Sequence, residues 1–338
     1  MNYESFVKEV KKGVEEIIHK KLDDGMVVVR EVLKNNNIRM QAVSIVREGE
    51  QATPTIYLEN YYLDFQNGRT VKNICYEIYE TYLSSVNHLK MDIDIKDLSD
   101  FEKIKEIIYY KVINYEMNRT LLAKIPHFKF LDLAIVFYII VSKDEGGQAT
   151  ALINNEHILG WEITPKELRD IAFENTWHKF PVVIKKMEDI VSEMILNDIL
   201  GDESWTDAYD DEEEQDFISE DTEYGQYTYG ELKGIVKEEI ENLKADGVDM
   251  YVMSNTMKIN GAACITYPNA VRDFAMEHNS DVYIIPSSIH EVILVPDVKY
   301  SMETINELIR DVNRRQLDPV EILSDHAFVY RLETGEIE

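Results

Sequence analysis

Leu131-Asp132-Leu133-Ala134-Ile135-Val136-Phe137-Tyr138-Ile139-Ile140-Val141 is the stretch on which the fold turns. A continuous apolar run of this length suits a strand covered on both faces. It is far short of the roughly 20 apolar residues a membrane-spanning helix needs, and Asp132 interrupts it. Asp144-Glu145-Gly146-Gly147 then turns the chain into 149–153, which predicts a hairpin. Upstream, 107–115 is rich in Ile, Tyr and Val and reads as extended. A short helix containing Asn118, Leu121 and Leu122 lies between, ended by Pro126, with Asn118 and Arg119 as polar caps and braces.

Working outward, Phe6, Val7, Val10, Val14, Ile17 and Ile18 make one helical stripe over 3–21. Strands are expected at 27–32 and 40–46 around an Asn35-Asn36-Asn37 turn, with a third at 54–58. A clean amphipathic helix follows at 70–86. Thr164, Pro165 and Glu167 form a capping-box signal for a helix that turns Leu168, Ile171 and Ala172 inward. A helix over 186–200 carries Met187, Ile190, Val191, Met194, Ile195 and Ile199 on one stripe. After 229–245, another amphipathic helix, the pattern predicts strands at 250–254, 261–266, 281–285, 289–295 and 327–332, with helices at 268–278 and 302–313. The class is therefore α+β, two mixed or mostly antiparallel sheets with flanking amphipathic helices. The expected organisation is an N-terminal α+β domain at 1–200, an acidic flexible segment at 201–228 and a C-terminal α+β domain at 229–338.

That segment is the sharpest change in composition. The chain has 35 Lys and Arg against 64 Asp and Glu, a formal charge of −29, and twelve of those acids lie between 201 and 230 with no base among them. Like charges repel and little apolar area is available there, so a solvated spacer is expected. Trp205, Tyr209, Phe217, Tyr224, Tyr227 and Tyr229 give it aromatic handholds for a protein partner. Asp207, Asp210, Asp211 and Glu212 offer oxygen ligands, but without the glycine and terminal glutamate of an EF-hand loop. The overall charge disfavours direct nucleic-acid binding and anionic membranes, and leaves mimicry of a nucleic acid as one use of acidity. Cys75 and Cys264, expected in a helix and a strand, suit a reducing cytosol, and no signal peptide or membrane span is expected.

Two strings echo each other: Asn155, Gly160, Pro165 and Leu168-Arg169-Asp170-Ile171-Ala172-Phe173-Glu174, then Asn255, Gly261, Pro268 and Val271-Arg272-Asp273-Phe274-Ala275-Met276-Glu277. A duplicated β-β-α unit and convergent helix-start chemistry both account for them.

No phosphate loop, dinucleotide fingerprint, zinc spacing or nucleophile elbow is present. The densest polar cluster is Pro286-Ser287-Ser288-Ile289-His290-Glu291, between two apolar strands. Ser287 or Ser288 can serve as a nucleophile with His290 as base and Glu291 or Asp325 as orienter, or with His326 from Ser324-Asp325-His326. A turn built by Pro and Ser, with His290 satisfying a hydrogen bond at the sheet edge, accounts for the same residues. His127, His157 and His290 match no short ligand spacing, so neither a metal nor a cofactor is expected.

The strings Val112-Ile113-Asn114-Tyr115-Glu116, Pro126-His127, Phe130-Leu131-Asp132-Leu133-Ala134, Gly261-Ala262-Ala263, Tyr267-Pro268, Tyr283-Ile284-Ile285-Pro286-Ser287-Ser288-Ile289-His290-Glu291-Val292 and Leu323-Ser324-Asp325-His326 carry a resemblance. On them the chain resembles a bacterial family, domain-of-unknown-function family 5688, along nearly its whole length. A fainter likeness to family of unknown function 1444 covers 131–176. Neither implies an activity or site residues. The expectation is a cytosolic non-catalytic binding or regulatory protein, with a Ser/His hydrolase-like enzyme as the alternative.

Overall fold

The computed structural model describes residues 1–22, 24–49, 53–88, 95–144, 147–200, 229–243, 248–296, 298 and 300–338. Its contacts divide the chain into two units, Met1–Lys179 with Gln316–Ser324, and Phe180–Arg315 with Asp325–Glu338. Each carries helices on antiparallel sheet, so the fold is α+β. The expected spacer at 201–228, its aromatic residues there and the oxygen ligands Asp207 to Glu212 lie outside the described residues.

The first unit opens with α1 (Tyr3–Lys21), whose first turn is capped by the Asn2 side chain accepting from the Ser5 N–H. The stripe Phe6, Val10, Val14, Ile17 and Ile18 is buried as the spacing predicts. It packs with the hairpin of β1 (Met26–Leu33) and β2 (Arg39–Val46), with β3 (Ile56–Tyr57) added to β2. Next come α2 (Glu59–Gln66), absent from the sequence reading, and α3 (Val71–His88), which sets Ile74, Ile78 and Tyr82 into the same core. Gly13 lets α1 and α3 close, since a Cβ there would meet the Cys75 sulfur at 2.6 Å.

After α4 (Phe101–Ile104), a second sheet forms from β4 (Ile108–Asn114), β5 (His127–Phe130), β6 (Leu133–Asp144) and β7 (Gly147–Leu152), with α5 (Arg119–Leu122) between β4 and β5. The opening run is β6, paired with β4 on one side and with β5 then β7 on the other. Its residues from Leu133 to Ile139 are all buried, which is why the run is apolar throughout. Beyond α6 (Asn155–Gly160), α7 (Pro165–Lys179) covers one face. The predicted capping box is present, with Glu167 Oε2 accepting from the Thr164 N–H and the Glu167 N–H donating to Thr164 Oγ1. Thr176 Oγ1 accepts from the Tyr110 N–H at 3.1 Å, tying α7 to β4.

A segment from near the C-terminus, 316–324, belongs to this first unit through an asparagine clamp. Asn118, fully buried, accepts from the Asn36 N–H and donates to Asn36 Oδ1 and the Asn114 carbonyl. Asn36 donates to the Pro319 and Ile322 carbonyls, Asn35 to that of Val320 and Asn114 to that of Leu323. Ser324 closes the run by donating to Asp132 Oδ2 at 2.7 Å. Asn36 and Asn37 hold left-handed φ values of 57° and 60°, a conformation asparagine tolerates best after glycine.

The second unit contains β8 (Val182–Lys186), α8 (Met187–Leu200), α9 (Tyr229–Leu243), β9 (Tyr251–Asn255), α10 (Ala270–His278), β10 (Val282–Ser288), β11 (Glu291–Pro296), α11 (Met302–Arg315), β12 (Phe328–Arg331) and β13 (Glu336–Ile337). They form one sheet in the order β13-β12-β10-β11-β9-β8. Because β8 pairs with β9, residues 182–200 group with this unit and not with the first, which differs from a break placed after residue 200.

Two local expectations are corrected. Residues 261–266 form a 3-10 helix, not a strand, so Cys264 sits in a buried helical turn. The left-handed Asn260 redirects the chain, and Gly261 lies against the neighbouring backbone, where its Cβ would come within 2.1 Å of Ser254 Oγ and 2.5 Å of the His290 carbonyl oxygen. Among the described side chains of α8, which do not include Ile199, the buried ones are Ser192 and Leu196, while Met194 and Ile195 are exposed, so the inward face is turned by about one residue step of 100°. The echoed strings share the Arg-Asp helix, α7 and α10, but Asn155 begins a helix whereas Asn255 ends a strand.

Candidate functional site

The site is built from α11 and the β10–β11 hairpin of the second unit. Ser301 opens α11 by accepting from the Thr304 N–H. Ile305, Leu308, Ile309 and Val312 then recur at i, i+3, i+4 and i+7, one continuous apolar stripe. Only part of it is covered. Ile305 and Ile309 are buried, against the sheet face that bears Tyr283 and Ile285, but Leu308 is 61% and Val312 46% exposed.

The facing strands alternate. On β10, Val282, Ile284, Pro286 and Ser288 are buried, whereas Tyr283, Ile285 and Ser287 are half-buried. Ile285 pairs with half-buried Ile293 and Tyr283 with buried Val295, so this face continues across β11. Between this row, α11 and the chain around Met250 and Tyr300 lies an open groove of about 460 Å³. Met250 and Tyr300, 39% and 47% exposed, complete its apolar rim.

One end is polar. The β10–β11 register shifts between Pro286 and Ser288, a bulge that leaves Ser287 without a ladder partner and turns it to the groove. The Ser287 hydroxyl donates to Glu291 Oε1 at 3.2 Å. Asn313, the last groove residue on α11, donates to Asp325 Oδ1 at 3.0 Å. Ser287 and Asn313 both line the groove, and each is hydrogen-bonded to a carboxylate, Glu291 and Asp325 respectively.

The other sequence candidates are used differently. Ser288 is buried and its hydroxyl accepts from the His290 N–H at 3.0 Å. His290 sits in the hairpin turn, where its carbonyl accepts from Ser254 Oγ and its Nδ1 accepts from the Asn260 N–H at 3.1 Å. With Nδ1 an acceptor, the neutral ring carries its proton on Nε2. A triad histidine needs the reverse, Nδ1–H held by a carboxylate and Nε2 open to the nucleophile. The ring of His326 lies edge-on to Phe328, centroids 5.7 Å apart.

His127 and His157 are placed by local bonds. His127 Nδ1 lies 3.1 Å from the Ile125 carbonyl. His157 caps α6, its Nδ1 accepting from the Asn154 N–H, and its ring stacks on Trp161, where burial holds its pKa below the usual value. Among the described residues no three His, Cys, Asp or Glu side chains are grouped to hold a metal ion. Cys75 and Cys264 are unpaired buried thiols, pushed up by burial to about 11 and about 12. No helix of the described residues is long and apolar enough to cross a membrane.

The sequence reading missed the groove, although Leu308 and Val312 were a signal: they extend the α11 stripe beyond what one buried face requires. Neither a curated protein nor a solved structure matches the chain. A family model matches residues 3–332, which covers both units; the fainter likeness of 131–176 to a second family is not shown. The chain belongs to the family of unknown function DUF5688.

Proposed function

We propose that this is a binding protein, not a catalyst, and that the groove beside α11 takes a small molecule with an apolar body and one hydrogen-bond-donating end. The observation that carries this reading is the convergence of Met250, Tyr300, Leu308 and Val312, exposed apolar side chains, on one groove. Scattered exposed apolar residues need no explanation, but a contiguous set lining a concavity does. Its volume falls within the roughly 300–1,000 Å³ of small-molecule sites. The carboxylates of Glu291 and Asp325 behind Ser287 and Asn313 favour an alcohol, amide or amine head over a carboxylate.

The test is uptake of the neutral dye Nile red by the full chain, with displacement by 1-decanol and by decanoate. Decanol should displace the dye at least about tenfold more effectively than decanoate, since a like-charge encounter costs more than the 1.4 kcal/mol that factor represents. A folded protein that takes up no dye, or that takes it up equally well as Leu308→Lys, overturns the proposal.

The reducing cytosol is the proposed location, supported by the two unpaired thiols. The acidic aromatic segment 201–228 is the proposed hinge and contact for a protein partner. Recovery of the same lysate proteins by chains with and without 201–228 would remove that part.

A further inference from the structure

We propose that the outer edge of β8, with the groove between it and α10, binds an extended segment of a partner protein that carries lysine or arginine at alternate positions. The site lies within the second unit and does not depend on the groove beside α11. Strand β8 ends the sheet order, paired on one side with β9 and with no strand on the other among those described. Its register sets what that edge presents. The Met187 N–H donates to the Met250 carbonyl at 2.9 Å, and the Thr256 N–H donates to the Pro181 carbonyl at 3.0 Å. Antiparallel strands exchange main-chain bonds at every second residue, so Val183 and Lys185 turn theirs to β9. Val182 and Ile184 turn N–H and C=O outward, where an added strand can pair with them.

Side chains alternate with the same period. Val182, Ile184 and Lys186 therefore share one face, and they line a groove of about 410 Å³ whose far wall is α10. Ala270, Asp273, Phe274, Glu277 and His278 fall on the groove face of that helix, at i, i+3, i+4, i+7 and i+8. His278 ties the helix to β9: its Nδ1 donates to the Phe274 carbonyl at 2.9 Å, leaving Nε2 to accept from the Tyr251 hydroxyl at 3.0 Å. Tyr251 also stands edge-on to Phe274, centroids 4.9 Å apart. With α10 anchored on β9, the space beside β8 stays open.

Charge selects the occupant. Asp273 and Glu277 are exposed and one turn apart on the groove rim. Residues of an added antiparallel strand that bond to Val182 and Ile184 send their side chains to the same face, into the groove. A lysine or arginine there lays its aliphatic stem against Val182, Ile184 and Ala270 and brings its cation to the rim carboxylates. Lys186, 5.8 Å from the centre of the Tyr251 ring, stands toward the His278 end, so a cation meets least opposition at Asp273. A second copy of the chain would bring its own charge of −29 and is disfavoured by it.

The probe is the peptide acetyl-Val-Lys-Val-Lys-Val-amide, titrated calorimetrically into the full chain. It should bind, its glutamate analogue should bind at least about tenfold more weakly, and Asp273→Asn combined with Glu277→Gln should weaken the lysine peptide about tenfold. The analogue N-methylated at every backbone amide should not bind. Ile184→Pro removes an outward N–H and leaves the β9 ladder its donors, so it should abolish binding. In hydrogen exchange resolved to single amides, the peptide should slow Val182 and Ile184 and leave Val183 and Lys185 unchanged. A lysine peptide that does not bind, a glutamate or N-methylated analogue that binds as well, or binding that leaves the Val182 and Ile184 amides unprotected overturns the proposal. So does a dimer in sedimentation that protects the same two amides, since the occupant of the edge is then a second copy.

Discussion

The main-chain N–H of Asn260 donates to Nδ1 of His290 at 3.1 Å, and this bond fixes the histidine as part of the scaffold. The same turn is held by Ser254 through the His290 carbonyl, by Ser288 through the His290 N–H, and by Ala262 through the Ile289 carbonyl. His290→Ala should therefore lower unfolding free energy by about 1–3 kcal/mol, the cost of leaving a buried donor unmet. Nile red uptake should be unchanged. Loss of dye binding in a variant of native stability would instead place His290 in the site.

Gly261 sits against that turn. A Cβ at this position would meet the Asn255 nitrogen at 2.8 Å as well as the Ser254 hydroxyl and His290 carbonyl, and backbone cannot move aside cheaply. Gly261→Ala should cost about 1–3 kcal/mol in urea unfolding, the usual range for overpacking. A neutral result would mean that the 3-10 helix can shift away from the hairpin.

Replacing Leu308 by Lys should remove dye binding while changing stability by no more than about 0.5 kcal/mol, because exposed positions tolerate substitution. Thermal unfolding and fluorescence on the same sample separate the two effects. A large fall in stability would show that Leu308 belongs to the core.

The asparagine clamp predicts non-additivity. Asn118→Ala strands the Asn36 N–H and should cost about 1–3 kcal/mol, while the double variant with Asn36→Ala should lose less than the sum, by a coupling of about 0.5–3 kcal/mol. Additive losses would mean that the two side chains act independently.

Burial of Cys75 and Cys264 ties stability to alkaline pH. Their folded values, raised to about 11 and about 12, exceed the unfolded value of about 8.5, so the contribution is complete below about pH 8.5. It declines as pH rises from there through the folded values. Cys75→Ala should flatten the slope of stability against pH above 9 by about one proton's worth. An unchanged slope would show that the thiol ionises as readily in the folded chain.

Much of the local structure was legible because its causes lie within a few residues. The capping box of Thr164 and Glu167, the stripe of α1 and the apolar β6 run each follow from spacing along the chain. Reading failed where the cause was distant. The 3-10 helix at Gly261–Thr266 depends on Ser254 and the His290 turn closing against Gly261. In α8, a helix apolar on several faces, the periodicity did not select which face turns inward.

The chemistry divides in the same way. The sequence by itself determined that a polar cluster at 286–291 would sit between two strands, and that few of its residues matched any catalytic spacing. Only the tertiary structure decided that Ser287 turns to a groove lined by α11, that His290 is consumed by Asn260, and that 316–324 returns to Asn36 and Asn118. Caps and periodicity are written in neighbours a few residues apart. A hydrogen bond between residues 30 or 283 positions apart is set by how the sheets and loops close.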